Sequence, residues 1–80
     1  MTRPLVRVFH AQDCHLCESA LRVVERVRAE VDFELEAIDI TGHPELEPAY
    51  RERIPVVEIG GVEAFTYFVH PAALRRRLTG

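Results

Sequence analysis

The residues best equipped for chemistry are Cys14 and Cys17, the only two cysteines in the chain, set two residues apart in Cys14-His15-Leu16-Cys17. Two intervening residues at the start of a helix let the sulfurs come within disulfide distance. The first sulfur then lies at the helix tip and the second one turn inside. At the tip, unpaired backbone N–H groups and the positive end of the helix dipole favour a thiolate. Such settings lower a thiol pKa from about 8.5 toward ~3.5–7.5. His15 adds positive charge when protonated, whereas the Asp13 carboxylate opposes the thiolate. Cys14 is the expected nucleophile toward a disulfide. Cys17 is the expected resolving thiol that breaks the mixed disulfide.

Other chemistries share this spacing. Cys-x-x-Cys also binds zinc, but a structural zinc site takes four ligands and no second Cys-x-x-Cys exists here. His10, His15 and His43 could in principle complete such a site, at spacings that fit no familiar finger. Two chains could share an iron–sulfur cluster through one cysteine pair each. Inert burial of both cysteines is a further reading, opposed by charged Asp13 and His15 beside them.

These residues must be positioned by the flanking elements. Leu5 to His10 reads as an apolar strand interrupted by Arg7. From Cys14 the period changes, with Leu16, Ala20, Val23, Val24, Val27 and Val31 on one helical face. That helix is expected from Cys14 to Glu30. Glu18–Arg22 and Arg26–Glu30 stand at favourable four-residue spacing on its polar face. Phe33 to Ala37 alternates and reads as a half-exposed strand at a sheet edge. Thr41-Gly42-His43-Pro44 is a turn leading to a short helix, about Pro44 to Arg51, with Pro48 as an awkward interior residue. Ile54 to Ile59 is a third strand and Gly60-Gly61 a two-residue hairpin turn. Val62 to Tyr67 is a fourth strand, and Pro71 opens a last helix. The order β-α-β-α-β-β-α, with a parallel crossover and one hairpin, predicts an α/β fold: a four-stranded mixed sheet flanked by helices. The whole chain, residues 1–80, reads as one domain.

Cys-x-x-Cys after the first strand, followed by Ile54-Pro55 opening the third, resembles the glutaredoxin and thioredoxin families. The closest likeness is to small bacterial glutaredoxin-like proteins, through Cys14-His15-Leu16-Cys17-Glu18 and Tyr50-x-x-Arg53-Ile54-Pro55-Val56-Val57. The resemblance implies a thioredoxin-like fold and thiol–disulfide exchange. It also implies a cis Ile54-Pro55 bond beside the cysteines, with the Ile54 backbone turned to receive an extended substrate. Ile54, Pro55, His15, Tyr50 and Arg53 are therefore the candidate substrate-binding residues. Tyr50 and Arg53 have an equally good reading as core cover and a solvated charge. Glutathione-binding members carry a Gly-Gly-x-Asp-like turn before the last helix, where this chain has Phe68-Val69-His70-Pro71. They often carry a lysine before the first cysteine, where this chain has Gln12 and Asp13. These departures count against glutathione as the reductant, a thioredoxin-reductase-like one is the other candidate, and no bound cofactor is expected.

The composition narrows the partners. Nearly half of the 80 residues (48%) are hydrophobic and the formal net charge is −3, with both signs interleaved. That balance fits a globular core and not a nucleic-acid surface. All ten basic residues are arginine, and Arg75-Arg76-Arg77 is the one dense run; a solvated helix face accounts for it better than an anion site. No apolar run approaches the ~20 residues that span a bilayer, and residues 1–4 lack a signal-peptide pattern. A cytoplasmic oxidoreductase acting on protein or low-molecular-weight disulfides is the leading expectation. A metal or cluster binder and a redox-sensing interaction module on the same fold are the alternatives.

Overall fold

The computed structural model describes residues 3–79. Valines alternate on β1 (Leu5–His10), so Val6 and Val8 face one side of the sheet and Phe9 the other. The opposing strand β3 (Val56–Ile59) divides in the same way, Val57 to the first side and Val56 to the second. Two apolar layers result. On the first side, Ala20, Val24 and Val27 of α1 (His15–Arg28) and Leu74 of α3 (Pro71–Thr79) pack on Val6, Val8 and Val57. On the second, α2 (Leu46–Tyr50) brings Leu46 and Tyr50 against Phe9, Ile40 and Val56.

The sheet order is β2-β1-β3-β4, with β2 spanning Glu34–Asp39 and β4 Val62–Thr66. β1 and β2 are parallel, Leu5 opposite Glu34 through His10 opposite Asp39. β3 runs antiparallel to both β1 and β4. This is the expected element order, and β2 is the expected half-exposed edge. Arg7, which breaks the apolar run of β1, donates across the strand pair to Glu36 at 2.9 Å. Gly60 and Gly61 close the β3–β4 hairpin at φ +59° and +84°, the left-handed values that a two-residue hairpin turn needs.

Several boundaries differ from expectation: β2 covers Glu34–Asp39 in place of Phe33 to Ala37, and α1 ends at Arg28 in place of Glu30. α1 begins at His15, because Cys14 is extended (φ −114°, ψ 103°) and caps the helix. α2 begins at Leu46, which places Pro48 in the first turn, where its missing N–H has no intrahelical carbonyl to lose. β3 begins after Pro55, and β4 ends at Thr66 because Tyr67 takes φ +69°. The helical ion pairs also differ. Glu18 faces His15 at 3.5 Å, and Glu30 is held by Arg75 of α3 through Nε and Nη2 at 3.1 and 2.8 Å. A two-pronged guanidinium from another helix outcompetes the single contact that Arg26 could make on its own helix. Among the described residues no helix is long and apolar enough to cross a membrane.

Candidate active site

The topology gathers the carboxyl ends of β1, β2 and β4, the start of β3 and the starts of α1 and α3 at one end of the sheet. The cysteine loop leaves β1 at this end. Ile40 N–H donates to the His10 carbonyl at 2.8 Å, and Gln12 N–H to the Thr41 hydroxyl at 3.2 Å. Both bonds tie the loop to the turn after β2. Asp39 accepts from the Thr41 N–H at 2.8 Å; this bond and a second from the Thr41 hydroxyl hold its carboxyl below the usual carboxylate range. Asp13 then adopts φ +58°, a left-handed conformation that Asp tolerates better than most side chains. The reversal there aims the chain into α1. Asp13 thus has a geometric task besides the electrostatic one expected of it.

Cys14 occupies the N-cap position usually filled by Ser, Thr, Asp or Asn. Its Sγ accepts from the Cys17 N–H at 3.2 Å, and its carbonyl accepts from the Glu18 N–H at 3.1 Å. Cys14 and Cys17 form a disulfide across Cα atoms 5.2 Å apart. Cys14 is half-buried, while Cys17 is 1% exposed beneath it. The accessible sulfur is therefore the one at the helix tip. Among the described residues no group of three or more His, Cys, Asp or Glu side chains is placed to hold a metal ion.

The other residues singled out from the sequence fall into two sets. His15 has a fully solvated side chain (99% exposed) whose Nδ1 faces Glu18. The Ile54–Pro55 bond is cis and leads into β3, whose Val56 lies opposite Phe9 on β1. Pro55 is buried, at the end of the sheet from which the cysteine loop departs. Tyr50 stacks on Phe9 with ring centroids 4.3 Å apart and planes 6° apart. The Arg53 guanidinium lies 5.0 Å from the Tyr50 centroid and donates to Glu63 of β4 at 2.8 Å. Phe9, Tyr50, Arg53 and Glu63 thus form a brace from β1 to β4 around the segment carrying Ile54 and Pro55.

Tyr67 and Phe68 have no site role in the sequence reading, which puts Tyr67 at the end of the fourth strand and Phe68 where glutathione-binding members have a glycine turn. Phe68 N–H donates to the Thr66 carbonyl at 2.8 Å, closing a three-residue turn around Tyr67 at φ +69°. A γ-turn with positive φ is the rare, strained form, and for a bulky residue such backbone costs of order 1–3 kcal/mol. Two bonds offset it: Tyr67 N–H donates to the Pro55 carbonyl at 2.9 Å and its hydroxyl to the Glu52 carbonyl at 2.7 Å. The loop before α3 is thereby fastened to the segment before β3. The available sequence signal was a pair of aromatics just after a strand, with no glycine where the chain reverses.

Comparison with known proteins agrees with this geometry. Residues 5–79 match the profile of the family described as "Glutaredoxin-like domain (DUF836)". An uncharacterised protein of Mycobacterium tuberculosis is 29% identical over 80 residues, covering 94% of this chain and 82% of its own. The solution structure of a protein from Nitrosomonas europaea superposes with TM-score 0.80 at 27% identity, over 99% of this chain and 95% of that one. Chloroplastic thioredoxin z superposes with TM-score 0.78 over 95% of this chain and 75% of its own; at 23% identity it shows the shared fold.

Proposed function

The chain belongs to the glutaredoxin-like domain family and has the thioredoxin-like fold, and from that premise we propose that it is a thiol–disulfide oxidoreductase. One observation carries the reading: a Cys14–Cys17 disulfide whose outer sulfur caps α1 and accepts the Cys17 N–H. In the reduced protein the same N–H and the helix terminus favour negative charge on Cys14 Sγ. The Cys14 thiolate attacks one sulfur of a substrate disulfide, and the other sulfur leaves as a thiolate and takes up a proton. Cys17 then gives up its proton and its sulfur attacks Cys14 Sγ, expelling the first substrate sulfur. Two electrons pass to the substrate, which leaves as two thiols, and the protein is left as its disulfide. An external thiol reductant returns it to the dithiol.

In this proposal the Ile54 backbone beside Pro55 receives the extended substrate chain, and the brace through Tyr50 and Arg53 keeps that segment in place. His15, at the mouth of the site, contacts what lies above Cys14. The test compares reduction of a protein disulfide by wild type, Cys14→Ser and Cys17→Ser. Cys14→Ser should abolish turnover. Cys17→Ser should accumulate a mixed disulfide between Cys14 and substrate, visible by mass spectrometry. Turnover that survives Cys14→Ser would overturn the assignment.

A further inference from the structure

Three of the four large apolar side chains exposed among the described residues, Leu16, Tyr67 and Phe68, stand around one groove. Its volume is about 280 Å³. Ala20 and Val23 of α1 form one wall and Val69 lies in the other. One end of the groove is lined by Leu16, the residue next to Cys17 in the chain. Its far wall is held by Tyr67, whose strained backbone is fixed by the bonds to Pro55 and Glu52. A wall fastened at such cost is built rather than incidental.

Chemistry changes along the groove. A second hollow, about 240 Å³, shares Ser19 and Val23 with the first and adds Arg22 and Arg26. Among the described residues neither arginine has a carboxylate partner, because Glu18 faces His15 and Glu30 is taken by Arg75. The surface therefore runs from Leu16, within the Cys14–Cys17 segment, through an apolar trough to two unneutralised guanidinium groups. At 1.5 Å per residue, Arg22 and Arg26 lie roughly 9 and 15 Å along α1 from Leu16. An extended chain covers that distance in about three to five residues.

Resting on the oxidoreductase reading above, we infer that this groove selects protein disulfides over glutathione disulfide. The segment it takes carries an apolar side chain next to the reactive cysteine and a carboxylate about three to five residues away. Glutathione has carboxylates but no apolar side chain to fill the trough. Ser19 and His70 complete its lining, and no arginine stands in the trough itself to meet a carboxylate close to the sulfur. A matched peptide buries its apolar group first and meets the arginines beyond it. The substrate peptide disulfide gains two electrons and two protons from Cys14 and Cys17 and leaves as two thiol peptides.

The test is a single-turnover experiment with pre-reduced protein and no other thiol. Four peptide homodisulfides are compared: apolar and acidic, apolar only, acidic only, and neither, with the pattern on both sides of the cysteine so that chain direction is irrelevant. Glutathione disulfide is the fifth substrate. The apolar–acidic peptide should release thiol roughly tenfold faster than the peptide with neither feature. Phe68→Ser should diminish the advantage of the apolar residue. Arg22→Gln should diminish the advantage of the acidic one, together with its salt dependence. Because each variant is read as a ratio between peptides, a general loss of activity does not imitate the effect. A ratio below roughly threefold in wild type, an advantage unchanged in Phe68→Ser, or faster reaction of glutathione disulfide overturns the inference. No thiol release from any disulfide overturns instead the oxidoreductase reading on which it rests.

Discussion

Asp13 shows how much one backbone angle decides. At φ +58° it turns the chain between β1 and α1, and a β-branched residue fits that conformation badly. Asp13→Val should lower stability by about 1–2 kcal/mol, and Asp13→Gly by much less, in thermal or denaturant unfolding. Tyr67→Phe removes only the hydroxyl that reaches the Glu52 carbonyl and should cost about 1 kcal/mol. Glu63 makes a prediction about pH. The Thr66 hydroxyl donates to it at 2.6 Å and the Arg53 guanidinium at 2.8 Å, and these bonds hold its carboxyl below the ordinary range, Thr66 most strongly. A carboxyl depressed by folding adds stability above its unfolded pKa, and this is lost as pH falls through the lower folded value. Its NMR titration midpoint should therefore rise toward the ordinary value in Thr66→Val. A midpoint unmoved by that change would show that the hydroxyl does not stabilise the charge.

At the scale of elements, α3 has one fully buried side chain. Leu74 is fully buried among Val6, Val8, Val57 and the α1 valines, and α3 is short, so its helix propensity contributes little by itself. Leu74→Ala should cost about 3 kcal/mol. A drop in melting temperature on the order of 15 °C follows for a domain of this size. The Arg75–Glu30 pair that also joins α3 to α1 is about half exposed, so Arg75→Ala should change stability by less than about 1 kcal/mol. Comparing the two variants by thermal unfolding tests whether packing or charge holds the helix. The same contrast explains α2, a single five-residue turn with no buried residue, whose first N–H, that of Leu46, donates to His43 Nδ1 at 3.2 Å. Tyr50 at its end, stacked on Phe9 and covered by Arg53, fixes it to the sheet.

At the scale of the molecule, the described residues bury no polar or charged side chain, and every ion pair lies at the surface. Stability is therefore apolar in origin, and raising the salt concentration should move the melting temperature by only a few degrees. A larger fall would mean that surface pairs matter more than their exposure suggests.

Much of this was legible from the chain alone. The change from strand to helical period near Cys14, the strict alternation over Phe33 to Ala37 and the Gly60-Gly61 pair are local signals, each set by the geometry of a few neighbouring residues. They fixed the element order, and the Cys14–Cys17 spacing at a helix start fixed the chemistry to look for. Tertiary structure decided what depends on distant partners. It gave Glu30 to Arg75 in place of Arg26, and it gave Tyr50 and Arg53 their stacking and pairing across the sheet. It also held Tyr67 in a backbone state its own side chain disfavours, through two carbonyls more than ten residues away in sequence. The cysteine pair is a local motif, so the sequence displays it. The groove beside that pair is walled by α1 and by the loop before α3, segments some fifty residues apart, and only folding brings them together.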